Sequence, residues 1–498
     1  MIDDKSFSGK VGVVGSGRSI YVISLFLLNI GLARSMGSVQ FGAFQQVFMF
    51  TALFMIVSMG VPETVYFFLP RLTPEERSGF LGQTLLILGI NGILIALVFW
   101  IAAPLLAGIQ KNPHIITNLK IFGVYGAFLV GSAFADPIFI TFNRLKYLFI
   151  ISASHGLFFI ILTGWQYFAK IPAHILFTAM VVFAVCKYML ALYFLYKMRP
   201  DIGKISYFTG RHMVLLQLSF ALPVALTNTI DIISTWLDKF VISIFFGPEA
   251  LGVFFVGAIE IPLVGVLLSS VYSVISPILN KLHHNNDIAG FTGLINKTIK
   301  FTAKLIWPLC IYLMFFADHL VPLIFKSGYE GSVAPFRIYL LIMPLRIALY
   351  GVIIIAIGKP RIVFLGAAGT MVMNLILNLV LVKTIGFLGP AISTVITTYI
   401  HVIFLVTYIL FDLKVPLKDL IPGKTLFDIG ISGVIAAMVA YMMTRLVGTD
   451  LGAVISSLLI FFGAYIFLGT KAGFLSFHNI MDIAKGGFGG KNDENSED

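Results

Sequence analysis

Trp236 to Val256 reads WLDKFVISIFFGPEALGVFFV. It sets an acid and a base, Asp238 and Lys239, inside an apolar run. Gly247-Pro248-Glu249 closes that run, and a second apolar run starts at Leu251. The same layout occurs 210 residues earlier, where Gly37-Ser38-Val39-Gln40-Phe41-Gly42-Ala43-Phe44 aligns with Gly247 to Phe254. Gly37 falls on Gly247, Gly42 on Gly252 and Phe44 on Phe254; further on, Arg71-Leu72 falls on Lys281-Leu282. A motif shared at the same point of two similar hydropathy patterns indicates an internal duplication.

Of 498 residues, 58% are hydrophobic and 11% charged, against roughly 25% charged in soluble domains. Apolar runs long enough to cross a ~30 Å hydrocarbon layer recur along the whole chain. The expected fold class is therefore an all-α polytopic membrane protein with about fourteen transmembrane helices, since lipid offers no water to satisfy backbone polar groups. Spans 2, 7 and 8, near 41–69, 213–246 and 250–279, exceed the length a bilayer needs, which predicts tilt or protrusion. The net charge of +11 reflects basic residues kept on one side of the membrane rather than nucleic-acid binding, for which no basic, aromatic-interleaved soluble segment exists.

Placing the N-terminus in the cytoplasm puts most of the 34 Lys and Arg in inner segments, so both termini are expected inside, in a multi-pass protein of the cytoplasmic membrane. The polar start MIDDKSFSGK shows no cleavable signal, and span 1 is expected to direct insertion. The repeat covers six helices, so both copies enter the membrane in one direction, as two six-helix lobes (1–200 and 201–415). Two further helices (416–485) and a disordered cytoplasmic tail (486–498) follow. Cys186 and Cys310 lie in apolar runs and read as small core residues. Gly12-Val13-Val14-Gly15-Ser16-Gly17 lacks dinucleotide-binding spacing, and no Walker A, zinc or nucleophile-triad pattern occurs. No cofactor or metal is expected, and the chain does not read as an enzyme.

Four passages resemble the polysaccharide and O-unit (Wzx-type) flippases of the multidrug/oligosaccharidyl-lipid/polysaccharide exporter superfamily. They are Asp238 to Phe254; its counterpart from Ala33-Arg34 through Phe44 to Pro70-Arg71; Gly358-Lys359-Pro360-Arg361; and Asn374-Leu375-Ile376-Leu377-Asn378-Leu379 with Gly386 to Thr394. The resemblance implies translocation of polyprenyl-diphosphate-linked oligosaccharide by alternating access, for O-antigen, capsule or exopolysaccharide synthesis. It implies membrane lipids, a polysaccharide polymerase and chain-length machinery as partners. Two alternatives remain within the superfamily, a cation-coupled multidrug exporter and a lipid II exporter. A membrane glycan polymerase or glycosyltransferase is the alternative of another class, although no large outer loop or outer D-x-D-type site is present.

Ionisable groups inside spans are costly and so mark function by default. Asn228, Asp231, Thr235 and Asp238 share one helical face of span 7, which reads as a cavity face. Lys239 lies about 100° round the helix and is expected to reach an acid on a neighbour; the plainer alternative for Asp238 and Lys239 is an inter-helix structural ion pair. A diphosphate needs counter-charge, for which Arg346, two residues after Pro344, is the foremost candidate and Lys187 its first-lobe partner. Arg18 and Arg34 sit near the ends of span 1 and either join them or snorkel to the interface. Glu63, Asp136, Glu260 and His155 are the ion-coupling candidates; the carboxylates otherwise neutralise nearby Arg, and His155, like His401, otherwise reads as a buried, hydrogen-bonded core residue.

Overall fold

The computed structural model describes residues 4–58, 60–198, 211–447 and 451–475. The expected disordered tail and most of the polar connection near 198–212 lie outside them. Among the described residues all regular structure is helical, as closure of backbone hydrogen bonds within each segment requires in lipid. Thirteen segments there are long and apolar enough to cross a membrane.

Span 2 accounts for the difference from fourteen, because it is not one helix. Helix α1 (Asp4–Phe48) runs through Gly37 into its first part. Then come α2 (Thr51–Val57) and α3 (Val61–Phe68). Gly60 stands between them at φ 65°, and Pro62, in the first turn of α3, restarts the helix. The second copy behaves alike. Helix α9 (Arg211–Gly257) passes through Gly247, stops, and yields to α10 (Pro262–His284).

The duplicated glycines share one backbone conformation. Gly37 has φ 76°, ψ 170°, and Gly247 has φ 83°, ψ −171°. Only glycine occupies that region without strain. The other glycine pair of the repeat, Gly42 and Gly252, meets face to face. A Cβ on Gly42 would run into the Pro248 carbonyl and lie 3.0 Å from the Gly252 nitrogen. A Cβ on Gly252 would run into the Ser38 carbonyl and lie 3.1 Å from the Gly42 nitrogen. Such reciprocity is what two related copies produce when the same patch of each faces the other. Gly252→Ala should therefore lose about 1–3 kcal/mol, read as a lower melting temperature in detergent. Gly164→Ala, with open space around it, should be neutral or mildly stabilising; equal melting of both variants would remove the close-contact argument.

The chain divides into two compact units. The first comprises Met1–Val266, Ile324–Tyr339 and Pro360–His401. In it α1 packs on α7 (Leu145–Ala169) and on α9, α4 (Pro74–Ile109) on α5 (Ile116–Gly131), α5 on α8 (Ala173–Lys197), and α9 on α14 (Pro360–Thr384). Small residues let these helices close, as membrane interfaces require. Gly31 faces Thr163, Gly156 faces Ile20 and Ser24, and Gly123 faces Phe99. A capping box between Thr73 and Glu76 starts α4.

The second unit comprises Leu267–Leu323, Leu340–Lys359 and Val402–Asp498. Its last two helices, α17 (Gly423–Val447) and α18 (Leu451–Lys471), pair with each other. Both also meet α11 (Ile288–Phe325). From α17, Gly433 sits on Ile311 and Gly430 on Trp307. From α18, Ser457 Oγ meets the Tyr312 hydroxyl at 2.9 Å. Cys310 is buried as expected, but Cys186 is exposed on α8, because its side of that helix faces outward rather than into the core.

Candidate functional site

The span Glu330–Ala356 is interrupted within the second unit. Helix α12 (Val333–Leu340) ends, a 3-10 turn covers Met343–Leu345, and α13 starts at Tyr350. Pro344 supplies no N–H, so the α ladder cannot continue through it. Three carbonyls near the break find donors on α11. Leu340 O accepts from Cys310 Sγ at 3.3 Å, Pro344 O from Trp307 Nε1 at 3.2 Å, and Ile347 O from Thr302 Oγ1 at 2.5 Å. Irregular backbone at membrane depth survives only with such partners. Arg346 stands at the end of the turn, half-buried, with its N–H on Met343 O at 2.9 Å. Tyr272 of α10 is buried beside the Leu349 backbone, but its hydroxyl lacks a well-formed hydrogen bond. A guanidinium on a fixed, non-helical segment is a suitable anion ligand.

In the first unit, three candidates from three spans come together. Lys187, half-buried midway along α8, lies in the electrostatic field of Asp136, which opens α6 (Ala135–Thr141). His155 of α7 is near enough to Lys187 to feel its charge. Its ring is walled by Tyr21, Phe159 and Phe183 at 4.7, 4.7 and 5.0 Å. Its Nε2 is buried without a hydrogen-bond partner.

Asp238 and Lys239 form a closed pair. Asp238 is 2% exposed and Lys239 9%. Lys239 does not reach an acid on a neighbouring helix. Its stem folds back, placing Nζ 3.3 Å from Asp238 Oδ1 and 3.1 Å from the Thr235 carbonyl. The Tyr339 hydroxyl donates to the other Asp238 oxygen.

The face predicted on span 7 is thus divided. Asn228 is exposed, and its Nδ2 approaches Glu63 Oε1 at 3.5 Å. The second Glu63 oxygen is buried without a hydrogen bond. Asp231 and Arg18 occupy helical positions, but their side chains lie outside the described residues. Arg34 donates through Nη1 to the Ile324 carbonyl at 2.9 Å, at the end of α11, where a cation complements the helix dipole. Glu260 is exposed in the break between α9 and α10.

Sequence reasoning missed two buried amide networks in the first unit. In one, Gln83 Nε2 donates to Gln217 Oε1 at 2.6 Å, and Gln217 Nε2 donates to Thr64 and Thr84 at 2.9 and 3.0 Å. In the other, Gln46 Nε2 donates to Ser243 Oγ at 2.9 Å, Asn112 Nδ2 to Gln46 Oε1 at 2.7 Å, and Ser243 to Gln110. They tie α9 to α3 and α4 near one end and to α1 and the end of α4 near the other. The available signal was glutamine inside apolar runs, which carries the same desolvation cost argued for charges. Asn374 and Asn378 of α14 bond to each other at 2.8 Å, and Asn374 reaches Thr397 of α15 (Gly389–Leu413) at 3.0 Å. No group of three or more metal-ligating side chains is found among the described residues.

Known proteins are similar to this chain in sequence or in fold. An uncharacterized membrane protein of Methanocaldococcus jannaschii is 22% identical over 420 residues, covering 77% of this chain and 80% of that protein. The lipid II flippase MurJ in an inward closed conformation has a similar fold, with TM-score 0.70, 16% identity, and coverage of 93% of this chain and 98% of that one. A multidrug resistance MATE family transporter of the MOP superfamily, inward-facing, follows at TM-score 0.67 and 15% identity, covering 80% and 94%. The family described as polysaccharide biosynthesis protein matches residues 10–283. With more than half of its length matched, this multi-pass membrane chain belongs to the polysaccharide biosynthesis protein family.

Proposed function

We propose that this protein flips a polyprenyl-diphosphate-linked oligosaccharide across the cytoplasmic membrane by alternating access, in surface polysaccharide synthesis. The observation that carries the reading is Arg346 on the interrupted span, whose backbone carbonyls are held by Thr302, Trp307 and Cys310. In this reading Arg346 is the diphosphate ligand. Lys187, counter-charged by Asp136, is the second cation the headgroup meets. Asn228 and Asp231 offer hydrogen bonds to sugar hydroxyls. Glu63, with one buried unsatisfied oxygen, is the leading ion-coupling carboxylate; Asp136, His155 and Glu260 are the others. Asp238, Lys239 and Arg34 contribute by holding helices in place. The duplicated lobes, 1–200 and 201–415, are the moving parts, with both termini cytoplasmic. A polymerase and chain-length machinery receive the product. The family supports handling of a polysaccharide intermediate.

Lipid II export is the second reading, favoured by the near full-length likeness of fold to MurJ, which covers 93% of this chain. It uses the same diphosphate chemistry. Expression in two hosts separates them, one lacking its O-unit flippase and one depleted of its lipid II flippase. Restored surface glycan in the first supports the proposal. Rescue of viability in the second alone assigns the protein to lipid II.

A further inference from the structure

Helix α11 is longer than a bilayer requires. Its 38 residues extend about 57 Å at 1.5 Å per residue. Leu305–Phe325 contains no Lys or Arg and extends about 31 Å, which matches the hydrocarbon thickness. Lys304 therefore stands at the boundary of the headgroup layer. Lys300 and Lys297 follow on the same face, at i−4 and i−7, over about 10 Å of helix. Lys297 is exposed, and the other two are partly exposed.

These charges are uncompensated. Lys300 and Lys304 lie in each other's field as like charges. Among the described residues, none of the three forms an ion pair. Among nearby acids, Asp287 caps the Gly290 N–H at 2.8 Å, and Asp419 meets Asn296 through its backbone carbonyl at 3.3 Å. Helix α18 runs antiparallel beside α11, bonded through Tyr312–Ser457 and through the Tyr465 hydroxyl on Lys304 O at 3.2 Å. That pairing brings the exposed Lys471 to the depth of Lys297 and Lys300.

We propose that Lys297, Lys300 and Lys304 bind the phosphate of an anionic phospholipid in the leaflet at this end of α11. Three features favour that occupant: charge of one sign, a depth that coincides with lipid phosphates, and no acidic partner. Phosphate is the anion abundant at that depth, and each lysine near a membrane surface adds to the attraction. The inference does not depend on which substrate the protein carries.

The test uses the full chain in detergent, titrated with phosphatidylglycerol or phosphatidylcholine of equal acyl length and read by native mass spectrometry. The wild type should prefer phosphatidylglycerol. Lys300→Gln/Lys304→Gln should weaken that binding roughly 10- to 30-fold, and Lys300→Arg/Lys304→Arg should restore it. Lys120→Gln, on a lysine that lies over Trp100 at 4.9 Å, should leave it unchanged. The single variant at exposed Lys297, Lys297→Gln, should move in the same direction and guards against misfolding of the double variant. Unaltered phosphatidylglycerol affinity in a folded Lys300→Gln/Lys304→Gln protein overturns the proposal. So does complete displacement of phosphatidylglycerol by an equimolar polyprenyl diphosphate, which would assign the stripe to the substrate lipid.

Discussion

Arg346→Ala is expected to abolish complementation while the protein reaches the membrane in normal amounts. The non-helical segment around Arg346 is held by Cys310, Trp307 and Thr302 through backbone carbonyls. Removing the guanidinium leaves those bonds in place. What disappears is a bidentate, charge-assisted grip on phosphate, for which hydrogen bonds to charged groups contribute about 1.5–3 kcal/mol each. A loss of at least roughly 100-fold in transport follows. Arg346→Lys keeps the charge without the fork and should fall between. Trp307→Phe serves as the structural control. It removes the bond to Pro344 and should lower thermal stability more than it lowers transport per folded molecule. Wild-type transport by Arg346→Ala would make that residue architectural and withdraw the diphosphate assignment.

Asp238→Ala should destabilise the protein by about 3–5 kcal/mol, because it strands the Lys239 ammonium in a buried site. The Tyr339 hydroxyl loses its acceptor at the same time. Removing both charges, as Asp238→Ala/Lys239→Leu, should recover most of the loss, since replacing a buried pair with apolar groups is often neutral. Thermal unfolding in detergent reads both variants. A stable Asp238→Ala protein that fails in transport would instead place this carboxylate in contact with substrate.

Much of the architecture was legible in the amino-acid sequence. Charge scarcity and apolar run length identify a helical membrane protein. Proline alone does not mark the helix breaks, since Pro104, Pro223, Pro277, Pro308 and Pro322 lie inside continuous helices while Pro344 stands at a break; the shared glycines mark the duplication. The appended pair near the C-terminus is likewise readable, as apolar runs beyond the repeat. Within the candidate site, the presence of costly groups was legible but not their engagement. Arg34 reads as a phosphate ligand or an interfacial cation, and only the structure shows that one of its N–H groups meets a carbonyl 290 residues away. Lys239 was expected to reach across helices and instead satisfies its own neighbour. Lys187, Asp136 and His155 come from separate spans and share one electrostatic neighbourhood.

The sequence by itself therefore determined class, approximate span number, the duplication and the presence of charged groups inside spans. Each of these follows from local physics: hydrocarbon thickness, the backbone's need for hydrogen bonds, the cost of charge in lipid and glycine's freedom at positive φ. Tertiary structure alone decided which groups satisfy one another. Partners on different helices depend on the axial offset and rotation at which two helices pack, and side-chain spacing along one helix carries no record of either. Gly42 against Gly252 illustrates the division. The repeat announces both residues, but only the packed helices show that each leaves room for the other's backbone.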